Sequence, residues 1–115
     1  MAKRFNFSKI TGFEWDTGNK EKNKTKHNVE TDESEELFFN DPIFEYDKVH
    51  SQGEDRFFAY GITDKARLLI ICFTIRGEKR DKIRIISSRD QHKKEREYFK
   101  KKLAERKKKY ESNKK

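Results

Sequence analysis

The apolar residues of this chain concentrate between Phe38 and Ile86, and their spacing predicts strands more than helices. Residues 67–76 carry Leu68-Leu69-Ile70-Ile71-Cys72-Phe73-Thr74-Ile75, a continuous apolar run that predicts a central strand covered on both faces. An aromatic-rich segment, 56–62, precedes it, and 82–88 follows; the turns 63–66 and 77–81 separate the three. Residues 43–47 alternate weakly, and 49–55, with Gly53, read as a loop. Connections this short predict an antiparallel meander of about four strands.

Outside that block the pattern becomes helical and polar. Asp16 is a good N-cap for a helix over 17–27, on which Asn19, Asn23 and His27 share a face. That helix has almost no apolar stripe, so Phe13, Trp15 and Val29 at its ends are expected to dock it. Asp32 and Glu35 have capping-box spacing for a short acidic helix over 33–39, which Asn40-Asp41-Pro42 ends. Residues 91–110 form a third helix with Phe99, Leu103 and Tyr110 on one side. The expected fold is α+β: two N-terminal helices, a small antiparallel sheet and a basic C-terminal helix. Residues 1–11 read as a mobile arm with a short strand about 5–7, 12–106 as one domain and 107–115 as a basic tail.

Only 31% of residues are hydrophobic and 43% are charged, values that approach those of disordered chains. The ten Phe offset this, because each buried ring removes a large apolar area from water. Charge is distributed unevenly. Residues 91–115 hold 10 Lys and 2 Arg against 4 Glu, whereas 1–90 hold 17 basic and 17 acidic side chains, so the formal +8 lies in the last 25 residues. Such asymmetry points to nucleic acid or an acidic partner, since Lys and Arg displace counterions condensed on phosphates. No run of about 18 apolar residues exists to span a bilayer. No apolar segment follows Met1-Ala2-Lys3-Arg4, so no signal peptide is expected. The single Cys72 makes no internal disulfide, which sets a reducing, cytoplasmic compartment as the default.

Simple alternation over 82–89 puts Lys82, Arg84, Ile86 and Ser88 on one strand face, and Ile83, Ile85, Ser87 and Arg89 on the other. Arg84 with Arg76 across the hairpin, joined by Arg89, suits a phosphate clamp, because guanidinium offers fixed paired donors. The same arginines equally suit solvated cross-strand pairs with Glu78, Asp81 or Asp90. His27 is the best candidate for proton transfer, with Lys24 and Lys26 favouring its neutral form; an exposed helix-end histidine is the plain alternative. His50 and His92 are weaker candidates. One Cys and three scattered His give no zinc-ligand spacing, and no metal or other cofactor is expected. Cys72, mid-run in the most apolar strand, reads as core filler. Trp15 reads as an anchor of the first helix, with base stacking as the minor alternative. On the basic helix Tyr98, Phe99 and Tyr110 interleave with cations. Lys93, Lys94, Arg96, Tyr98, Lys100 and Lys101 are therefore candidates for contacting a nucleic acid, against simple solubility.

Several pieces, in order, resemble one known family. Phe13-Glu14-Trp15-Asp16, Asn23, Lys26-His27 and Val29 are similar to the opening of the BrnT-type toxins. Asp41-Pro42, His50-Ser51, Gly53-Glu54, Arg56-Phe57 and Gly61 follow, then Thr74-Ile75-Arg76-Gly77, Ile83-Arg84-Ile85-Ile86-Ser87-Ser88-Arg89, Glu95 and Tyr98. The resemblance spans about residues 13–99. Thr17-Gly18-Asn19 stands where the family usually has Pro-Ala-Lys, with Lys20 one place later, and Asn28 stands where a Gly often follows Lys-His. The resemblance implies a bacterial type II toxin related to the RelE-type ribonucleases, which inhibits translation by cutting RNA without a metal. It also implies a ribbon-helix-helix antitoxin as partner, with operator DNA reached only through that antitoxin. On this basis the expected chemistry is attack of a ribose 2′-hydroxyl on the adjacent phosphate. His27 would act as acid or base, with Lys26 beside it, Arg84 and Arg76 on the phosphate, and Arg89 and Glu95 in support. The rival readings are a non-catalytic RNA- or DNA-binding module or an inactive relative, and a basic arm that docks on an acidic protein.

Overall fold

A computed structural model describes residues 5–112. A five-stranded sheet organises them, in the order β1-β5-β4-β3-β2. The strands β2 (Ile43–Tyr46), β3 (Arg56–Ile62), β4 (Leu68–Arg76) and β5 (Lys82–Asp90) form the expected antiparallel meander. One strand more than the expected four is present: β1 (Gly12–Glu14) pairs parallel with β5 opposite Lys82–Arg84. Three residues are too few to show alternation in a sequence.

Helix α1 (Thr17–His27) is capped as expected, the Asp16 carboxylate accepting from Gly18 N at 2.8 Å. It stops at Asn28, which holds φ 53° in the left-handed region usually left to glycine. Its ends dock as expected, with Val29 buried in the core and Phe13 and Trp15 packed against it, and its polar face adds contacts of its own. Beyond Arg84 the outer edge of β5 has no strand partner, and α1 lies along it with its amide face inward. Asn19 Nδ2 donates to Ile85 O (3.4 Å), and Asn23 Oδ1 accepts from Ser88 N (3.1 Å). A polar helix thus satisfies backbone groups that an open sheet edge would leave bare. Trp15 Nε1 donates to Glu35 Oε2 at 2.7 Å and ties the start of α1 to α2 (Thr31–Leu37).

Helix α2 begins two residues earlier than the Asp32–Glu35 spacing suggested; the capping box is Glu30–Glu33. This register turns Ser34 and Leu37 into the core together with Phe38, and leaves Phe39 exposed. The core on this face of the sheet unites Leu37 and Phe38 with Phe57, Leu69, Phe73 and Ile85. The expected arm joins it from Phe5 onward. Phe5 meets Phe73 at 5.0 Å between ring centroids, and residues 7–9 make a 3-10 turn rather than a strand. Residues 1–4 of that arm lie outside the described residues.

Gly61 of β3 faces Leu37 so closely that an added Cβ would sit 2.7 Å from Leu37 Cγ. Leu37 is fully buried and has nowhere to swing. Gly61→Ala is expected to cost about 1–3 kcal/mol by overpacking, read as a lowered melting temperature. Gly12→Ala, whose Cβ would meet only the end of Lys82 at 3.5 Å, is the near-neutral control.

The other face is covered over only part of its area. Helix α3 (Lys93–Ser112) crosses it from the end of β5, packing Phe99 on Tyr60 and Ile70. At the far side Arg106 Nη2 donates to Asp41 O at 2.8 Å. The helix continues through the expected tail to Ser112, and residues 113–115 lie outside the described residues. The half of the sheet that holds Arg56, Arg76 and Arg84 is left uncovered. A bulge shapes this face. Phe73 pairs with Ile85 but Cys72 pairs with Ser87, so Ile86 is an extra residue in β5. Alternation therefore flips there. Ser88 joins Ile83 and Ile85 on the helix face, all three fully buried, whereas Ser87 and Arg89 join Arg84 on the open face. The two-face assignment from simple alternation is corrected beyond Ile86.

Candidate active site

The amide face of α1 that docks on β5 continues one turn further to His27, so the same packing that seats Asn19 and Asn23 delivers the imidazole to the end of β5. There it lines a cleft of about 370 Å³ with Lys26, Asn28, Arg89, Asp90 and His92. Arg67 at the head of β4 fixes the corner. Its Nη1 donates to Asn28 O (2.7 Å), its Nη2 to His27 O (3.1 Å), and its Nε to Asp90 Oδ1 (2.7 Å). These carbonyls are the free ones at a helix C-terminus, where positive charge is favoured. Arg67 is thus a positioning residue for His27. Sequence reasoning missed it, although it is the one charged side chain that heads the longest apolar run.

Arg89 reaches the cleft from the open face of β5. Glu95, in the first turn of α3, grips it with two parallel bonds, Nη1–Oε1 at 2.7 Å and Nη2–Oε2 at 2.8 Å. Glu95 Oε1 also accepts from His92 N at 2.7 Å. One carboxylate therefore orients the guanidinium and fastens the start of α3. The Arg89 guanidinium, ahead of the backbone bond from His92, holds the Glu95 carboxyl below its usual range.

His27 is drawn below the ordinary imidazole value of 6.5, first by desolvation, then by the charges of Lys26, Arg89 and Lys22, with Asp90 opposing them. At neutral pH the ring is uncharged and able to accept a proton. Beside it, Lys26 and Arg89 supply fixed positive charge. Cleft, base and cations together suit a phosphodiester.

Of the residues singled out from sequence, Lys26, His27, Arg89 and Glu95 come together. Arg84 and Arg76 do not line this cleft. Arg84 Nη2 lies 3.2 Å from Asp16 Oδ2, and Arg76 Nε lies 2.9 Å from Glu54 Oε2, both farther down the sheet. Arg84 stands opposite Thr74 and Arg89 opposite Ile70, roughly 13 Å apart at strand rise; the bulge puts them on one face without bringing them to one spot. On α3, Lys93, Lys94, Lys100 and Lys101 are exposed. Arg96 Nη1 is engaged by Gln91 O at 2.7 Å. Tyr98 packs its ring on Tyr60, 4.9 Å between centroids. Burial pushes the Cys72 thiol up to about 11, as suits a packing residue. Among the described residues no group of three or more His, Cys, Asp or Glu side chains is arranged to hold a metal ion, and no helix is long and apolar enough to cross a membrane.

Comparison with known proteins gives the fold and the family. No curated protein matches the chain. Among solved structures, the ribonuclease toxin BrnT of Brucella abortus superposes with a TM-score of 0.57, covering 73% of this chain and 100% of that one at 19% identity. That likeness establishes the shared α+β fold. Residues 15–95, which run from Trp15 through α1, α2 and strands β2–β5 to Glu95, match the model of the ribonuclease toxin BrnT of type II toxin–antitoxin systems. The matched stretch contains every residue that lines the cleft, and this chain belongs to the BrnT family of type II toxin–antitoxin ribonuclease toxins.

Proposed function

We propose that this toxin cleaves RNA by a metal-independent transesterification in the His27–Arg89 cleft. Neutral His27 takes the proton of a ribose 2′-hydroxyl. The 2′-oxygen forms a bond to the adjacent phosphorus as the bond from phosphorus to the 5′-oxygen breaks. Arg89, oriented by Glu95, and Lys26 carry the charge that builds on the phosphate oxygens, a contribution worth several kcal/mol in preorganised sites. The leaving 5′-oxygen takes a proton from His92, which lines the same cleft, or from solvent. The products are a 2′,3′-cyclic phosphate and a 5′-hydroxyl end. The carrying observation is the meeting of the His27 imidazole with a carboxylate-oriented guanidinium across a single cleft. The exposed lysines of α3 extend the positive surface along which the strand lies.

The partner in this reading is a ribbon-helix-helix antitoxin that silences the toxin and carries it to operator DNA, and the site of action is the cytoplasm. Family membership supports an antitoxin, and the +8 of residues 91–115 supports an acidic docking face on it. Purified protein incubated with RNA in excess EDTA is expected to yield fragments with 5′-hydroxyl ends. Cleavage that appears only when Mg²⁺ is restored sinks the metal-free mechanism. Salt-sensitive binding with no cleavage under either condition favours a binding module or an inactive toxin instead.

A further inference from the structure

A second polar constellation lies on the uncovered half of the sheet, away from the cleft. Asp47, just past β2, is 5% exposed, and its carboxylate accepts from His50 N at 3.1 Å and lies 2.9 Å from His50 Nδ1. Ser51 Oγ closes the loop, donating to Asp47 O (2.6 Å) and accepting from Arg56 N (2.9 Å). A nearly buried carboxylate that fixes one ring nitrogen leaves the other, Nε2, facing out in a set orientation.

Beside it stands Arg56. Asp47 N donates to Arg56 O at 2.9 Å, so the two residues face each other on neighbouring strands. The register puts the Arg56 side chain on the open face, in line with Thr74 and Arg84. The other open-face arginines are each paired: Arg76 with Glu54, Arg84 with Asp16, Arg89 with Glu95. Arg56 is half-buried, yet among the described residues no carboxylate lies within ion-pair distance of its guanidinium. Partly desolvated charge without a partner is costly and points to an anion supplied from outside. The nearby acids are engaged elsewhere: Asp47 with His50, Glu54 with Arg76, and Asp55 with the Tyr46 hydroxyl.

We propose that Arg56 and the Asp47-oriented His50 form a second phosphate site for RNA, several nucleotides along the strand from the phosphate held in the cleft. The proposal rests on reading that cleft as the place of cleavage. Arg89 stands opposite Ile70 and Arg56 opposite Thr74, roughly 13 Å along the strands and about 10 Å across them. That interval exceeds one nucleotide step, so the second site grips only substrates longer than a dinucleotide.

The test is fluorescence anisotropy with 2′-deoxy oligonucleotides, which lack the attacking hydroxyl and report binding alone. For Arg56→Met and for His50→Gln the affinity for a decanucleotide is expected to fall about tenfold. For Arg56→Met the slope of log K against log salt should also be shallower by about 0.7, for the lost cationic phosphate contact. A dinucleotide should lose less than about twofold. Arg56→Lys, which keeps the charge, should keep most of the salt slope and also serves should Arg56→Met fail to fold. Equal losses for both lengths, or unchanged decanucleotide affinity, overturn the site. If His27→Gln abolishes cleavage while Arg56→Met binds like the parent protein, this inference alone falls. If His27→Gln cleaves normally while the length-dependent losses appear, the phosphate site stands and the placement of the reaction falls.

Discussion

Replacing His27 by glutamine is expected to lower the rate of RNA cleavage by about 10²–10⁴-fold, the range for loss of a positioned general base, with little change in melting temperature. The two halves of this expectation have separate causes. The catalytic loss follows because glutamine cannot take the 2′-hydroxyl proton. The stability holds because α1 is fastened by other atoms: Asn23 Oδ1 to Ser88 N, and the His27 and Asn28 carbonyls to Arg67. Full activity in the variant removes His27 from the reaction. The pH dependence is a sharper check. Desolvation and the neighbouring cations lower the pKa of His27 below 6.5, so the basic form persists to more acid pH than in a free imidazole. Cleavage should rise with pH along a limb centred below 6.5. Lys26→Gln removes one of the cations and should move the acid limb upward. A limb that stays fixed in Lys26→Gln and persists in His27→Gln belongs to another group.

The elements most legible in the sequence were those whose signal is local. The cap at Asp16, the limits of α1 and the run of β3 and β4 each depend on neighbouring residues, and the structure places them where the pattern did. What the sequence could not display was pairing over long range. Asn19, Asn23 and His27 plainly share a helix face, but the surface they meet depends on β1 stopping at Arg84 and leaving the rest of the β5 edge bare. That is why the expected docking of α1 by its apolar ends missed the amides. The bulge at Ile86 did leave a trace: Ile85-Ile86 and Ser87-Ser88 are like doublets inside an alternating strand, the mark of an extra residue. Read that way, Arg89 moves to the face of Arg84, and the candidate site moves with it. Arg67 and Arg56 left weaker traces, one heading an apolar run and one heading an aromatic strand. Their roles come from a helix end and a neighbouring loop that no local pattern brings near them.

The largest expected effect on stability belongs to Phe73. Its ring is fully buried at the centre of β4 and meets Phe5 at 5.0 Å, Phe38 at 5.1 Å, Phe57 at 5.7 Å and Phe44 at 6.0 Å between centroids. Phe73→Ala should cost about 3–5 kcal/mol, because rings held by four neighbours collapse poorly into the cavity. Against a total of roughly 6–17 kcal/mol for a domain of this size, that is a drop of about 10–20 °C in melting temperature. Phe39, 69% exposed at the end of α2, is the control, and its alanine variant should lose about 0.5 kcal/mol. A Phe73→Ala protein that melts with the parent shows that this face of the sheet is not the core. The expected consequence for function is indirect. The ring lies on the helix face of the sheet and Arg89 on the other, so folded Phe73→Ala should cleave RNA at the parent rate when assayed well below its melting point. In cells it should inhibit growth less, because a larger unfolded fraction is exposed to proteolysis.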